Sequence, residues 1–418
     1  MKETKLKTFM QAWVKKHREK TVSHSIILAI ILSIPFFAHK QIDNVPVPED
    51  TRPDNVDYRV SMVGDMMLGR HVQDAALREG EPVDRVFSYV TPYLQESDHA
   101  TGNFENPVID TSDEEVESQM EDYELHNKDI HLYAEAGAEE ALVDAGFDSV
   151  TLANNHTMDY GDLSLTETLN HMESLDMDLL GIGDVLDSGE AQVETDSEEE
   201  EVKDAGEISY FDISDDYSAA ILGFTDVFVQ GYSAGDYVGG VLTGDGLDVL
   251  QNRIREASEE ADVVIVHAHW GDEYQVGSNE EQENLAWLLT DIGADIIIGH
   301  HSHVLEPVTV VETQNNTSLV MNSLGNFVFD QGWSRTKEST LAQLDFLEDG
   351  STDLSFIPMQ ITDTKPRETK GILKPYRDYR IFRTLRKELD PDLWKVEDSR
   401  LVIDLQEAGV LDYGGSDS

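Results

Sequence analysis

Short apolar runs alternate with segments of helical periodicity along most of the chain. Clear apolar runs begin at Tyr58, Ser149 and Asp295, and each leads into a polar cluster. Between such runs, segments such as Leu163 to Leu175 place apolar residues three and four positions apart, which is typical of a helix that buries one face. An unbroken apolar run indicates a strand that is covered on both sides. The pattern therefore predicts a layered α/β fold over residues 58–361.

The amino-terminal region has the pattern of a membrane anchor. Residues 1–21 form a basic leader, and residues 22–39 are predominantly apolar. The apolar segment is close to the lower limit of about 17 residues that a spanning helix needs. A cleavable signal peptide is the competing interpretation, but Phe36-Phe37-Ala38 lacks the small-x-small pattern of a cleavage site. By the positive-inside rule the anchor places the rest of the chain outside the cytoplasm. We expect a single-pass cell-membrane protein.

Other segments lack the alternation of strands and helices. Residues 40–57 carry proline and charge without periodicity and are predicted to be a linker, and residues 362–418 are predicted to be an irregular, polar C-terminal extension. Two acidic runs, Asp110–Asp122 and Glu190–Glu207, are predicted to be solvated surface loops.

Charge and composition exclude several classes of function. The chain has 84 Asp and Glu against 30 Lys and Arg, a formal charge of −54. This charge argues against nucleic acid or anionic lipid as a partner of the bulk of the protein. It also indicates a salt-rich surrounding, as in a halophile, because salt screens the repulsion between carboxylates. The chain has no cysteine, so disulfides, thiolate metal sites and a cysteine nucleophile are excluded.

Side chains that can bind a metal ion or a phosphate-like anion follow five of the predicted strands. These residues are Asp65, Asn103, Glu105, Asn155, His156, His269, His301 and His303. Taken singly, an Asp or Asn after a strand is more often a turn or a helix cap. The carboxyl ends of parallel strands meet at one edge of a sheet, so we expect these side chains to converge. Oxygen and imidazole ligands together predict a site for a divalent metal ion.

Six sequence blocks resemble the CapA family, the membrane-anchored subunits of the bacterial poly-γ-glutamate capsule machinery. The blocks are Val63–Arg70, Gly102–Pro107, Ala153–His156, His269–Tyr274, Gly299–Pro307 and Ser323–Trp333. The resemblance implies a calcineurin-like metallophosphatase fold. In that fold two sheets pack face to face, helices lie outside, and metal ligands occupy loops at one edge.

The resemblance also implies roles for individual residues. Asp65, Asn155, His156 and His269 match catalytic positions. The implied metal ligands are Asp65, Glu105, Asn155, His156, His269, His301 and His303.

Three departures from the phosphatase pattern accompany this match. Met67 stands where those enzymes have a histidine, and a thioether is a poor ligand for a hard ion. Thr157 stands where an acid follows the Asn-His pair. Asn103 and Glu105 stand where a bridging aspartate is usual, so one metal ion, or none, is easier to accommodate than a two-metal centre.

Three functions are consistent with the sequence. The resemblance implies an extracytoplasmic subunit of poly-γ-glutamate synthesis and export, with the ATP-dependent ligase, small membrane subunits and the polymer itself as partners. The chain lacks a Gly-x-x-x-x-Gly-Lys-Ser/Thr loop, so we do not expect it to be the ligase. The alternatives are a metal-dependent hydrolase of a phosphoester or of the polymer, and a scaffold that binds the polymer without cleaving it.

Overall fold

The computed structural model describes residues 2–18, 20–42, 51–123, 128, 130–187 and 202–413. Helices and strands alternate through the central part of this range. The α-helices are α1 (Lys2–Arg18), α2 (Thr21–Ile42), α3 (Arg70–Glu79), α4 (Thr91–Gln95), α5 (Glu114–Asp122), α6 (Glu140–Ala145), α7 (Asp162–Met172), α8 (Leu247–Glu260), α9 (Glu280–Asp291) and α10 (Lys374–Leu385). Short 3-10 helices occupy Val83–Phe87, Gly244–Gly246 and Pro391–Leu393.

The strands include every apolar run that the sequence pattern predicted to be one. They are β1 (Val56–Met66), β2 (His99–Phe104), β3 (Val108–Ile109), β4 (Ala134–Glu135), β5 (Ser149–Thr151), β6 (Asp178–Leu180), β7 (Ile182–Gly183), β8 (Ser209–Ser214), β9 (Tyr217–Thr225), β10 (Gly240–Val241), β11 (Val263–His269), β12 (Ile296–His300), β13 (Val308–Glu312), β14 (Thr317–Met321), β15 (Asn326–Val328), β16 (Glu338–Leu347), β17 (Thr352–Thr362), β18 (Lys365–Glu368), β19 (Trp394–Glu397) and β20 (Arg400–Asp404).

Two large mixed sheets organise the described chain. The ten-stranded sheet has the order β19-β20-β17-β16-β1-β2-β5-β6, with β15 beside β1 and β18 beside β17. The six-stranded sheet has the order β13-β14-β12-β11-β9-β8. In the first sheet β1, β2, β5 and β6 run parallel, and in the second β9, β11, β12 and β14 do. Each sheet therefore has a set of parallel strands whose carboxyl ends lie at one edge.

The main hydrophobic core lies between the two sheets. Met62 and Phe356 of the ten-stranded sheet share one buried cluster with Ile265 and Ile298 of the six-stranded sheet. The opposite face of the six-stranded sheet packs on α8 and α9, with Ile254 and Leu289 among the buried residues. The α/β fold with two packed sheets and outer helices is therefore confirmed, and the unbroken apolar strands are those covered on both faces.

Residues 1–47 together with 370–374 form a compact unit separate from the rest of the chain. In this unit α1 carries the basic leader, and α2 contains the apolar segment expected to be the anchor. Within the part of the chain that the structure describes, no helix combines the length and the apolar character needed to cross a bilayer. The anchor over residues 22–39 stays a prediction. Residues 43–50 of the expected linker lie outside the described residues.

The C-terminal residues differ from the irregular extension that was expected. After residue 362, β18 pairs with β17, and β20 pairs with β17 and β19, so this segment extends the ten-stranded sheet. β18 and β19 are polar and lie at the edge of the sheet, so they lack an apolar run, whereas β20 lies inside the sheet and buries Leu401 and Ile403 in the main core.

The first acidic run is also different from the expected loop. It contains α5, whose first turn is capped by the Asp113 side chain accepting from the backbone nitrogens of Glu115 and Val116. Acidic residues suit this position because the helix dipole is positive at its N-terminus. The second acidic run lies outside the described residues as far as residue 201.

Candidate metal centre

Five of the predicted ligands converge where the carboxyl ends of the parallel strands of both sheets meet. Asp65, Glu105 and His303 offer ligand atoms that lie within 4.8 Å of one another, and so do Glu105, His269 and His301. All five residues are buried. Glu105 belongs to both groups, so it is the residue that the two groups would share in holding metal.

Close backbone contacts fix the ends of the two strands that carry the site. A Cβ atom at Gly64 would stand 1.8 Å from the carbonyl oxygen of Gly325, and one at Gly299 would stand 1.9 Å from that of Asn322. The Asp65 backbone nitrogen donates to the same Gly325 oxygen at 3.0 Å. Only glycine permits these approaches, so the neighbouring strands hold Asp65 and the histidines after Gly299 in place.

Left-handed backbone conformations concentrate at this edge. His301 has φ 86° and His303 has φ 58°, and Arg70 and Tyr274 are left-handed as well. The other non-glycine residues with positive φ are Asp363, Thr364, Asp398 and Ser399. These four form two-residue turns of β-hairpins, where such angles are usual. The strained angles at the histidines have no turn to explain them, and strain of this kind clusters at functional sites.

Asp65 is ionised despite its burial. Its Oδ1 accepts from the Asn103 side chain at 2.9 Å, and the Nδ1 atoms of His300 and His303 each lie 3.4 Å from its carboxylate oxygens. Burial opposes the charge, but the contacts with His300 and His303 outweigh it and hold the pKa of Asp65 well below its usual value. A negative oxygen ligand is therefore present at this position.

Glu105 and the histidines around it have shifted pKa values of different sign. Burial raises the pKa of Glu105 well above its ordinary value. Burial alone would lower the pKa of His303, but Glu105 and Asp65 outweigh it and raise that pKa to about 9. Burial lowers the pKa of His301 to about 3 and that of His269 well below the usual value. His269 and His301 are therefore neutral, which is the form in which imidazole binds metals.

Several buried polar atoms in the centre have no hydrogen-bond partner among the described residues. They are Asp65 Oδ2, Glu105 Oε1, His300 Nδ1 and His301 Nδ1. An unsatisfied buried polar group costs about 1–3 kcal/mol, so four in one cluster need an explanation. A divalent cation would satisfy such oxygen and nitrogen atoms together. The residues present therefore fit a divalent metal ion, and its identity is open.

The Asn155–His156 pair occupies the edge of this centre. Asn155 Oδ1 lies 2.9 Å from His269 Nε2, so Asn155 contacts the ligand cluster directly. His156 belongs to neither group of converging ligands. Its Nδ1 lies 2.7 Å from Asp159 Oδ2 and 3.0 Å from Lys128 Nζ. The catalytic and ligand roles of these residues, and of the other members of the site, stay predictions.

Lys128 and Asp159 are the site residues that sequence reasoning missed. Lys128 Nζ lies 2.5 Å from Asp159 Oδ1 and also bonds the Asn155 carbonyl oxygen, and the Tyr232 hydroxyl donates to Asp159 at 3.1 Å. Burial opposes ionisation of Asp159, but His156 and Lys128 lower its pKa. Asp159 could have been found from the sequence, since it follows the Asn-His pair by three residues, whereas no sequence pattern pointed to Lys128.

Together these observations define a class: an α/β protein of two packed sheets, with a buried centre of carboxylates and imidazoles that could hold a divalent metal ion. Residues 59–331 match the family described as "Bacterial capsule synthesis protein PGA_cap". The match covers well over half of the chain, and the chain belongs to this family.

Two relatives are similar to nearly the whole chain. It is 35% identical over 401 residues to "PGA biosynthesis protein CapA" of Bacillus subtilis (strain 168), covering 95% of both proteins. It is 34% identical over 406 residues to "Capsule biosynthesis protein CapA" of Bacillus anthracis, covering 96% of this chain and 90% of that protein. The resemblance to the CapA family is therefore confirmed.

Two solved structures are distant neighbours. The NAD nucleotidase of Haemophilus influenzae has a TM-score of 0.39 and 13% identity, covering 79% of this chain and 63% of that one. A putative 5'-nucleotidase from Staphylococcus aureus has the same score and identity, covering 78% of this chain and 58% of that one. The chain thus spans less than two thirds of the length of either.

Proposed function

We propose that this protein is an extracytoplasmic, membrane-anchored subunit of poly-γ-glutamate capsule synthesis and export. Its membership of the capsule synthesis family, and its similarity to two capsule biosynthesis proteins over nearly their whole length, support the proposal. The absence of a P-loop in the sequence supports a role beside the ATP-dependent ligase rather than as the ligase. Its partners are then the ligase, the small membrane subunits and the polymer.

The site in this proposal rests on one observation, the buried centre in which two groups of ligand residues share Glu105. We propose that Asp65, Glu105, His269, His301 and His303 hold divalent metal there, with Asn155 orienting His269 through its side-chain oxygen. When bound, such an ion supplies a Lewis acid that polarises a carbonyl or phosphoryl oxygen.

His156 is the residue placed to move a proton. Its Nδ1 is held against Asp159, which leaves Nε2 as the atom that can exchange a proton with a bound substrate. Tyr232 and Lys128 hold Asp159 in turn. This arrangement favours the second candidate function, a metal-dependent hydrolase of calcineurin-like type acting on a phosphoester or on the γ-amide of the polymer.

One experiment tests both proposals in cells depleted of their own copy of the protein. Polymer yield, protein level and bound metal are measured for the parent chain, for the His301→Ala/His303→Ala double variant, and for His71→Ala as an exposed control. Lost yield and lost metal at normal protein level support a metal-dependent role. Lost yield when the parent binds no metal supports a polymer-binding cleft instead. Normal yield from the double variant contradicts the site assignment.

Hydrolysis is tested separately with the purified protein. It is incubated with added divalent ions and either a generic phosphodiester or poly-γ-glutamate, and released phosphate ester or shortened polymer is measured. Turnover that is lost in the His156→Ala variant supports the hydrolase. Absence of turnover on both substrates, with metal bound, leaves the capsule subunit as a non-catalytic component.

The extracytoplasmic location is also a proposal, supported by the basic leader and the apolar segment after it. Protease added to intact, wall-stripped cells should remove the acidic domain. Digestion only after lysis would contradict this topology.

A salt-rich surrounding is proposed from the charge of −54, and the melting temperature should then rise from low to molar salt. A flat melting temperature would contradict it.

A further inference from the structure

One short stretch reverses the charge of this acidic chain. Nine of the 30 Lys and Arg residues lie between residues 365 and 387, where only two residues are Asp or Glu. The stretch includes α10, Lys374–Leu385. In a protein with a formal charge of −54, such a concentration of positive charge within the folded domain creates a local attraction for anions.

The two faces of α10 differ in their surroundings. Ile381, Phe382 and Leu385 are buried in the core between the sheets, so they fix the helix to the domain. Tyr376 and Tyr379 lie on the opposite face, with 59% and 54% of their surface exposed. Arg383 and Lys387 are exposed as well. Tyr376, Tyr379 and Arg383 follow one another by three or four residues, which places them on one side of the helix, and Lys387 follows the end of the helix.

Part of the positive charge on and after α10 is not neutralised within the domain. Arg380 pairs with Glu338 at 2.9 Å, and Lys387 Nζ lies 3.0 Å from Glu388. Arg386 lies over the ring of Trp394 at 4.0 Å, a contact that leaves its charge intact. Among the described residues, no carboxylate lies within ion-pair distance of Arg383. The exposed face therefore presents positive charge beside two tyrosine rings.

We propose that this face of α10 docks on a membrane surface of anionic lipids. Lys and Arg near such a surface each strengthen binding, and tyrosine rings prefer the headgroup level, with the ring in the apolar boundary and the hydroxyl in water. The contact goes beyond the proposed function, which attaches the chain only through residues 22–39. It places the folded domain itself against the bilayer, independently of any anchor.

The apolar side chains favour lipid over a soluble polyanion such as the polymer. A polyanion needs only charge, whereas exposed apolar groups gain free energy by entering the headgroup boundary. On this face the exposed groups of that kind are the rings of Tyr376 and Tyr379. The acidic remainder of the surface is repelled by anionic lipid, so docking has one orientation.

The absence of cysteine allows a single reporter to test this on the full chain. Tyr379→Cys is labelled with an environment-sensitive NBD dye, and Tyr237→Cys, whose parent side chain is 77% exposed, serves as the control position. Each is mixed with vesicles of phosphatidylglycerol and phosphatidylcholine, or of phosphatidylcholine alone, in about 0.1 M salt. A blue shift and quenching by spin-labelled lipid are expected only at position 379 and only with phosphatidylglycerol.

A charge variant tests the cause of the response. Each Lys or Arg strengthens binding to an anionic surface about fivefold, so Arg383→Gln should lower the ratio of docked to undocked domain about fivefold. Arg78→Gln/Arg255→Gln removes two exposed charges from other helices and should leave the response unchanged. Melting curves confirm that each variant is folded.

Three results would overturn the proposal. The first is no response at position 379, and the second is an equal response with phosphatidylcholine alone. The third is a shift caused by soluble poly-γ-glutamate without vesicles, which would reassign the face to a polyanion.

Discussion

Two groups of buried histidines lie close together: His99 with His267, and the histidines of the metal centre, among which His301 differs in hydrogen bonding and in backbone conformation. His99 and His267, between the sheets, belong to a continuous hydrogen-bonded chain. His99 Nε2 lies 2.9 Å from Ser149 Oγ, which donates to Thr101 Oγ1, and that oxygen lies 2.9 Å from His267 Nε2. In the metal centre, by contrast, Glu105 and His301 carry buried atoms with no partner.

Burial and neutrality do not separate the two groups. Burial lowers the pKa of His99 to about 4 and that of His267 well below its usual value, just as it does for His269 and His301. What separates them is hydrogen-bond satisfaction together with left-handed backbone at His301. A satisfied buried network stabilises one packing, whereas an unsatisfied cluster costs stability and indicates a ligand.

His300 joins the two groups. Its Nε2 lies 2.9 Å from His267 Nδ1, while its Nδ1 lies 3.4 Å from Asp65 and has no hydrogen-bond partner. The hydrogen-bonded chain through His99 and His267 therefore ends at the metal centre, where His300 contacts the Asp65 side chain. Variants in the two groups should consequently separate metal binding from stability.

The largest effect is expected from Glu105→Gln, because Glu105 is the ligand common to both groups. The affinity for a divalent metal should fall by more than about 100-fold, which exceeds the loss expected when a residue that only hydrogen-bonds to a ligand is replaced. Elemental analysis of the purified protein should accordingly show less bound metal. His301→Ala and His303→Ala each leave one complete group and should retain part of the metal. Full metal content in the Glu105 variant would contradict the assignment of Glu105 as a shared ligand. The histidines around it would then no longer differ from His99 and His267 as metal ligands.

Asp345→Asn should destabilise the fold without changing the amount of bound metal. Arg59 is fully buried, and its Nε and Nη2 bond the Asp345 carboxylate at 2.6 and 2.7 Å. Removing one partner of a buried ion pair costs about 3–5 kcal/mol. The exposed pair Lys203–Glu207 is the control, since Glu207→Gln should cost less than about 1 kcal/mol. Chemical denaturation measures the unfolding free energy of both variants. Equal losses would contradict the larger contribution expected of the buried pair.

Glu306→Gln tests whether an unpaired buried atom by itself indicates a ligand. Glu306 Oε1 has no partner, and burial raises the pKa of this carboxyl to about 8. The folded state thus keeps the proton while the unfolded state loses it above about pH 4.5, so wild-type stability falls as pH rises towards 8.

The Glu306 variant should therefore be more stable than the wild type at pH 8, by up to a few kcal/mol at about 1.4 kcal/mol per pKa unit. Near pH 4.5 the two should be equal. Unfolding free energies measured across this range provide the check. Lost metal binding in Glu306→Gln would instead place Glu306 in the centre.

The smallest effect is expected from His267→Leu. The substitution leaves His300 Nε2 without its buried partner and removes one of the two hydrogen bonds of Thr101 Oγ1, which costs about 1–3 kcal/mol. Metal content should stay close to that of the parent because no ligand is lost. A loss of metal as large as that of Glu105→Gln would show that the hydrogen-bonded chain through His99 and His267 is part of the site rather than its support.

The sequence alone determined the main apolar strands, the ligand types at their ends and the family. Apolar runs and helical periodicity are local patterns, so the positions of β1, β5 and β12 followed from them. Asp65 and His301 were identifiable because each directly follows or ends a buried strand. The polar edge strands β18 and β19 escaped detection because they lack an apolar run, and β20 escaped it although Leu401–Ile403 is a short apolar run.

Only the tertiary structure decided how these residues combine. The sharing of Glu105 between two ligand groups depends on the packing of one sheet on the other, which no local pattern encodes. Lys128 reaches His156 through a contact of the same non-local kind, whereas Asp159 follows His156 by only three residues. Whether a buried histidine is satisfied or left open depends on distant neighbours, and so the difference between His267 and His301 became visible only in the folded chain.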